Sequence, residues 1–270
     1  MPILGQCRLC LTDAVELQRS HSIPAAVYRA LRGDSETENP NPLLVQTWGV
    51  VQTSRQPTAH LLCAVCEQRF SIAERWVMNH GLQRDDTFPL CDMLRGSGTL
   101  IIGRSDFAVY DVSGSQDIDI SHLAVFALSI FWRYAVYKWP HAEGERIVLG
   151  PYQEIVRSFL LGKTPFPPNV VLSVALRPVS SVVRLVRVPQ TNRVDGVRAH
   201  GFLMLGYVFT LFCGKNIPER FRKFCVVNAP FNPILVTERL ENTFLHSAIR
   251  SLDRAEATQA RSDLRSSRKT

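Results

Sequence analysis

The chain has 270 residues, 46% of them hydrophobic and 20% charged, enough to bury a substantial core in one large domain or two small ones. A formal net charge of +7 favours polyanionic partners but says nothing of the fold. No apolar run reaches the roughly 18 residues of a transmembrane helix, and the opening MPILGQC lacks the basic-then-apolar order of a secretory signal. The expectation is therefore a cytoplasmic protein with no membrane partner.

In chain order, four sections differ in character. Residues 1–80 hold two C-x-x-C pairs, Cys7/Cys10 and Cys63/Cys66, with Ser20-His21-Ser22-Ile23-Pro24 between them. An Asn39-Pro40-Asn41-Pro42 interruption predicts a loop. The run from Leu43 to Thr53 predicts strands, with Gly49 at a turn or bulge. Residues 81–163 read as mainly helical. Ser121 to Lys138 repeats apolar residues every three or four positions behind Ser121 as N-cap. Tyr152 to Leu161 predicts a second helix closed by Gly162, and Pro165, Pro167 and Pro168 enforce a break.

Residues 164–252 are strand-rich. Val170–Leu176, Val182–Val188, Phe202–Phe212 and Phe224–Val227 are the predicted strands, with a turn at Val194-Asp195-Gly196. Arg239–Leu252 predicts a closing helix. Residues 253–270 form a basic tail carrying Arg254, Arg261, Arg265, Arg268 and Lys269. It reads either as a solvated terminus or as a phosphate-contacting arm.

The cysteines carry the most specific signal. There are seven, an odd number, which does not match the even framework of a secreted disulfide scaffold. Each C-x-x-C places two thiols on a short turn, and two such turns supply the four soft ligands of a closed tetrahedral zinc site. Cys7, Cys10, Cys63 and Cys66 are the expected ligands of a structural Zn²⁺. The competing readings are two unrelated buried pairs or a thioredoxin-like redox motif. Cys91, Cys213 and Cys225 sit in apolar surroundings and read as small core residues.

A first knuckle, then Ser20-His21-Ser22-Ile23-Pro24, then Leu61-Leu62-Cys63-Ala64-Val65-Cys66-Glu67, resembles the zinc-containing branch of HNH endonucleases. The likeness covers roughly residues 5–80. The chain also resembles bacterial proteins that carry such a head, some of which accompany anti-phage defence. The resemblance implies a treble-clef, ββα-metal core within an α+β fold, and nucleic acid, DNA or RNA, as substrate. It implies His21 as general base and Glu67 as ligand of a catalytic divalent ion such as Mg²⁺.

The sequence departs from that pattern at Glu67, which stands where the family commonly has a metal-binding His or Asn, and in two further places. Ser20 replaces the family's metal-ligating Asp, and Thr58, with His60 nearby, replaces the Asn that positions the base. Two functions follow. One is a metal-dependent endonuclease, with Glu67, Glu74 or His60 holding the ion. The other is a catalytically inactive zinc module that binds nucleic acid or a protein partner. For His21 the competing reading is a structural histidine ahead of a turn proline, and for Glu67 a first-turn carboxylate favoured by the helix dipole.

Weaker candidates read as ordinary surface. His80 and His122 are expected at the surface or in caps, and Asp106, Asp111, Asp117 and Asp119 on a solvated strand edge. Phe131-Trp132-Arg133-Tyr134 reads as core packing, with Arg133 long enough to reach a phosphate.

Overall fold

The computed structural model describes residues 2–31, 43–46, 49–52, 56–81, 83, 87–103, 107–139, 147–178, 185–194, 196–227 and 231–237. The expected closing helix, the basic tail and the Asn-Pro loop lie outside these residues.

The chain begins with β1 (Leu4–Gly5) and β2 (Val15–His21), paired antiparallel. Past Pro24, α1 (Ala25–Leu31) buries Val27, Tyr28 and Leu31. A hairpin of β3 (Leu43–Gln46) and β4 (Gly49–Gln52) follows, with Gln46 paired to Gly49. Then come β5 (Thr58–Cys63) and, directly from it, α2 (Ala64–His80).

After α3 (Pro89–Ser97), which carries Pro in its first turn, two strands appear: β6 (Thr99–Gly103) and β7 (Phe107–Asp111). The long helix α4 (Ile120–Val136) and the shorter α5 (Tyr152–Leu160) precede β8 (Val170–Leu176). The remainder is β9 (Leu185–Val194), β10 (Val197–Met204), β11 (Tyr207–Cys213), the short α6 (Glu219–Arg222) and β12 (Pro233–Thr237).

These elements form a mixed α+β structure with two sheets. The small sheet, in the order β1-β2-β5, packs with α2 to make a head that contains all four C-x-x-C cysteines. The large sheet runs β4-β3-β9-β10-β11-β8-β12-β7-β6. Its pairs are antiparallel except β3 with β9 and β12 with β8.

Helix α4 lies between the two parts. It packs on α2, α5 and the large sheet, and most of its side chains are buried. Phe126 and Phe131 meet Phe202 and Phe209 in a ring cluster whose centroids are 4.8–6.5 Å apart. Such pairs contribute about 0.5–1.5 kcal/mol each beyond area burial. Among the described residues no helix is long and apolar enough to cross a membrane.

Several sequence expectations change. The N-cap of α4 is Asp119, whose carboxylate accepts from the His122 N–H at 2.9 Å, and not Ser121. The expected single strand Phe202–Phe212 is a hairpin that turns at Leu205 (φ +48°) and Gly206 (φ +76°), the two left-handed positions of a tight turn. A side chain at Gly206 would meet Phe88 Cε1 at 2.6 Å.

Phe224–Val227 is not a strand: it leaves α6 in turns, with one bond from the Val226 N–H to the Leu172 carbonyl. The section 81–163 also contributes β6 and β7 to the large sheet. Gly162 (φ +71°) does close α5, donating to the Phe159 carbonyl while Lys163 donates to Ser158.

Candidate metal centre and the histidine strand

The first knuckle is a tight loop in which Leu11 N–H donates to the Cys7 carbonyl (2.8 Å) and Cys7 N–H to the Thr12 carbonyl (3.0 Å). Leu11 and Ala14 both take left-handed backbone (φ +64° and +53°), a conformation that costs an ordinary side chain about 1–2 kcal/mol. Strain of this kind persists where surrounding contacts hold it in place.

Those contacts are present. Arg8 N–H donates to the Leu61 carbonyl of β5 (3.0 Å), and Arg157 of α5 donates to the Leu9 carbonyl (2.5 Å) while gripping Glu154. The second knuckle is the junction of β5 and α2: Cys63 ends the strand and Cys66 lies in the first helical turn.

The four Sγ atoms of Cys7, Cys10, Cys63 and Cys66 all lie within 4.8 Å of one another. Cys10 and Cys63 are 3.8 Å apart. A tetrahedron with metal–sulfur bonds of about 2.3 Å has edges of about 3.8 Å, so the donors match a tetrahedral thiolate ion in type and spacing. The Cys63 N–H points at Cys7 Sγ (3.3 Å), a bond that steadies a thiolate.

Burial and the neighbouring Cys63 and Cys7 push the Cys66 thiol up, and burial also raises Cys7. Cys10 moves the other way, to about 6: burial opposes this, but Thr12 and the adjacent thiols outweigh it. Several thiolates cannot share so small a volume without a cation between them. The cluster can hold a metal ion such as zinc, and four protein ligands leave no open position for substrate. Cys91 and Cys225 are buried and Cys213 half-buried, all apart from this cluster.

His21 sits at the far end of the same ladder. β2 pairs with β5 from Leu17↔Cys63 to His21↔Thr58, so four residues, about 13 Å of strand, separate the cysteine end from the histidine end. His21 is half-buried. Burial, then the charges of Arg19 and Arg133, hold its imidazole below the ordinary histidine range; Arg29 adds to this and Glu74 opposes it. This favours the neutral ring, the form that accepts a proton.

Ser20 is fully buried and its hydroxyl donates to the Glu67 carboxylate. Glu67 lies in the first turn of α2, where burial pushes it up against the lowering effects of Ser20 and Arg133. Glu74, two turns on, is paired with Arg133 at 2.7 Å.

Thr58 accepts from Arg19 Nε at 3.1 Å, and His60 is exposed on β5. Of the residues singled out by sequence, Ser20, His21, Thr58, Glu67 and Glu74 thus come together where β2, β5 and α2 meet. His80 bonds the Trp76 carbonyl (2.7 Å), His122 Nδ1 lies 2.8 Å from the Asp119 carboxylate, and Asp111 accepts from Ser113 and Asn232. Among the described residues, the four cysteines are the one group of three or more His, Cys, Asp or Glu side chains that converges closely.

Arg133 belongs to the core, as its segment predicts. It is 1% exposed and spends its donors inside the protein, so it does not reach out to a phosphate. No known family model matches the sequence, and neither a curated protein nor a solved structure matches it.

Proposed function

We propose that the chain is a zinc protein of the HNH-endonuclease type that acts on the phosphodiester backbone of nucleic acid, with His21 as its general base. The observation that carries this reading is the β2–β5–α2 unit. It gathers four thiols at one end and holds a half-buried histidine at the other, with the charge of Glu74 acting on the ring and Glu67 bonded to the adjoining Ser20.

In this reading Cys7, Cys10, Cys63 and Cys66 bind structural Zn²⁺, and the unit is the ββα core of a treble clef. Reduced thiols fit a cytoplasmic setting. Nucleic acid lies along the His21 face, drawn by the positive field of Arg19 and Arg29. His21 Nδ1 or Nε2 takes a proton from the attacking water. Glu67, released from Ser20, would hold a divalent ion such as Mg²⁺, which when bound neutralises charge developing on the phosphate.

A second reading rests on its own observation. Ser20 occupies Glu67 and Arg133 occupies Glu74, so both carboxylates are already engaged. The same face then binds nucleic acid, or a protein partner, without cutting.

A plasmid-nicking assay with Mg²⁺ or Mn²⁺ separates the two. Catalysis predicts nicking that His21→Ala abolishes at unchanged zinc content, with a wild-type rate that rises as pH climbs through the depressed His21 pKa and is flat above it. Binding alone predicts no nicking with any metal and a nucleic-acid affinity that falls steeply with salt.

A further inference from the structure

We infer that Arg133 is the positioning residue of the His21 site: its guanidinium, sealed inside the protein, fixes the His21 peptide and Glu74 together from the helix that carries the large sheet. The inference rests on the proposed role of His21, but the coupling itself can be measured without any cleavage.

The geometry uses every edge of the guanidinium. Nη1 donates to the His21 carbonyl at 2.7 Å, and Nη2 donates to Glu74 Oε1 at 2.7 Å and to Ser129 Oγ at 3.3 Å. Nε donates to the Ser129 carbonyl at 3.3 Å, and the plane lies over the Phe70 ring, 5.5 Å from its centroid. One side chain of α4 thereby binds the end of β2 and two places on α2.

A planar fork with five donors can do this, whereas a lysine ammonium is a single point of charge. An apolar side chain in the same space commonly gives equal or greater stability, so a buried arginine here is better explained by what it orients than by what it stabilises. Arg133 is also the only Lys, Arg, Asp or Glu on α4.

The charged groups that act on His21 come from four elements: Arg19 on β2, Arg29 on α1, Glu74 on α2 and Arg133 on α4. Glu74 and Arg133 act in opposite senses, and they are bonded to each other. Moving one must therefore move the other's effect on the ring.

The test uses full-length, zinc-loaded protein with ring-labelled histidine, His21 being assigned from a His21→Gln variant. Zinc content and the NMR titration of His21 are followed in Arg133→Met, Arg133→Lys and Glu74→Gln. Arg133→Met should keep its zinc, shift the His21 ring signals, and raise the His21 midpoint by about half a unit or more. Arg133→Lys should restore part of the midpoint but not the ring signals, since it keeps the charge without the fork.

A folded, zinc-loaded Arg133→Met protein with wild-type His21 signals and midpoint overturns the inference. If Arg133→Met does not fold, Glu74→Gln decides: the His21 midpoint should fall, and an unmoved midpoint overturns it. Where the wild type nicks DNA, Arg133→Met should lower kcat at least about tenfold with little change in KM. A wild type that does not nick removes the nuclease reading and leaves the titration result to stand or fall alone.

Discussion

The head and the large-sheet body obtain a fixed shape by different means. The body does it with mass: Phe126, Phe131, Phe202, Tyr207 and Phe209 are all buried, and their rings interlock across α4 and the central strands. The head has a thinner apolar core, chiefly Leu9, Ile23, Tyr28, Leu61 and Phe70, beneath a three-stranded sheet with a two-residue edge strand. It makes up the difference with polar groups and thiols: four converging cysteines, a Ser20–Glu67 bond, and arginines reaching in from α4 and α5. Apolar packing is non-directional and tolerates small shifts. A thiol cluster or a guanidinium fork has set distances and angles, which is the kind of support a catalytic or binding group needs.

The sharpest way to break this comparison is to challenge the proposed zinc site. Structural zinc contributes apparent binding free energies of about 10 kcal/mol or more to small domains. Chelation, or Cys66→Ser, should therefore make β1, β2, β5 and α2 susceptible to limited proteolysis while the body stays protected. Equal protection throughout would mean that the head stands without its ion.

A smaller effect should come from the body, through acid. His200 is 3% exposed, with Nδ1 2.9 Å from the Thr191 hydroxyl; burial, aided by Arg198, lowers its pKa from 6.5 to about 4. The folded pKa is below the unfolded one, so the unfolded chain binds the extra proton. The penalty is absent above pH 6.5 and grows as pH falls toward 4, reaching about 3 kcal/mol. His200→Gln should flatten the denaturant midpoint across that window, and an unchanged slope would move the acid sensitivity elsewhere.

The smallest expected change is at the seam between the two parts. Gly162→Ala forces an alanine to φ +71° at the end of α5, beside Arg69 of α2, at a cost of about 1–2 kcal/mol in chemical denaturation. A larger loss, accompanied by metal release, would show that α5 and its Arg157 hold the knuckle more firmly than packing suggests.

What could be read from the sequence was local. Two thiols on one turn announce themselves by spacing, and α4 by its apolar period, to within one residue at its start. The hairpin at Leu205-Gly206 was hidden because its tip is covered: Leu205 is 2% exposed, so the turn carries none of the polar residues that mark an open one. Strand β6 was missed for the opposite reason, since Thr99–Gly103 is exposed throughout and shows no alternation. The core place of Arg133 was legible, but not its partner, because His21 is 112 positions away and no local pattern links them.

The order of the large sheet has a consequence for how the protein can be made. The chain leaves the first knuckle, lends β3 and β4 to the sheet, and only then returns as β5 to supply the second knuckle. Because β3 lies against β9, that excursion has no neighbour until residues near Val194 have been synthesised. A ribosome that has delivered all four cysteines has thus not yet delivered the strand that anchors the loop between them. A fragment cut at residue 80 would carry the ligands together with a stranded hairpin, and shortening that excursion is the rational first step toward isolating the head.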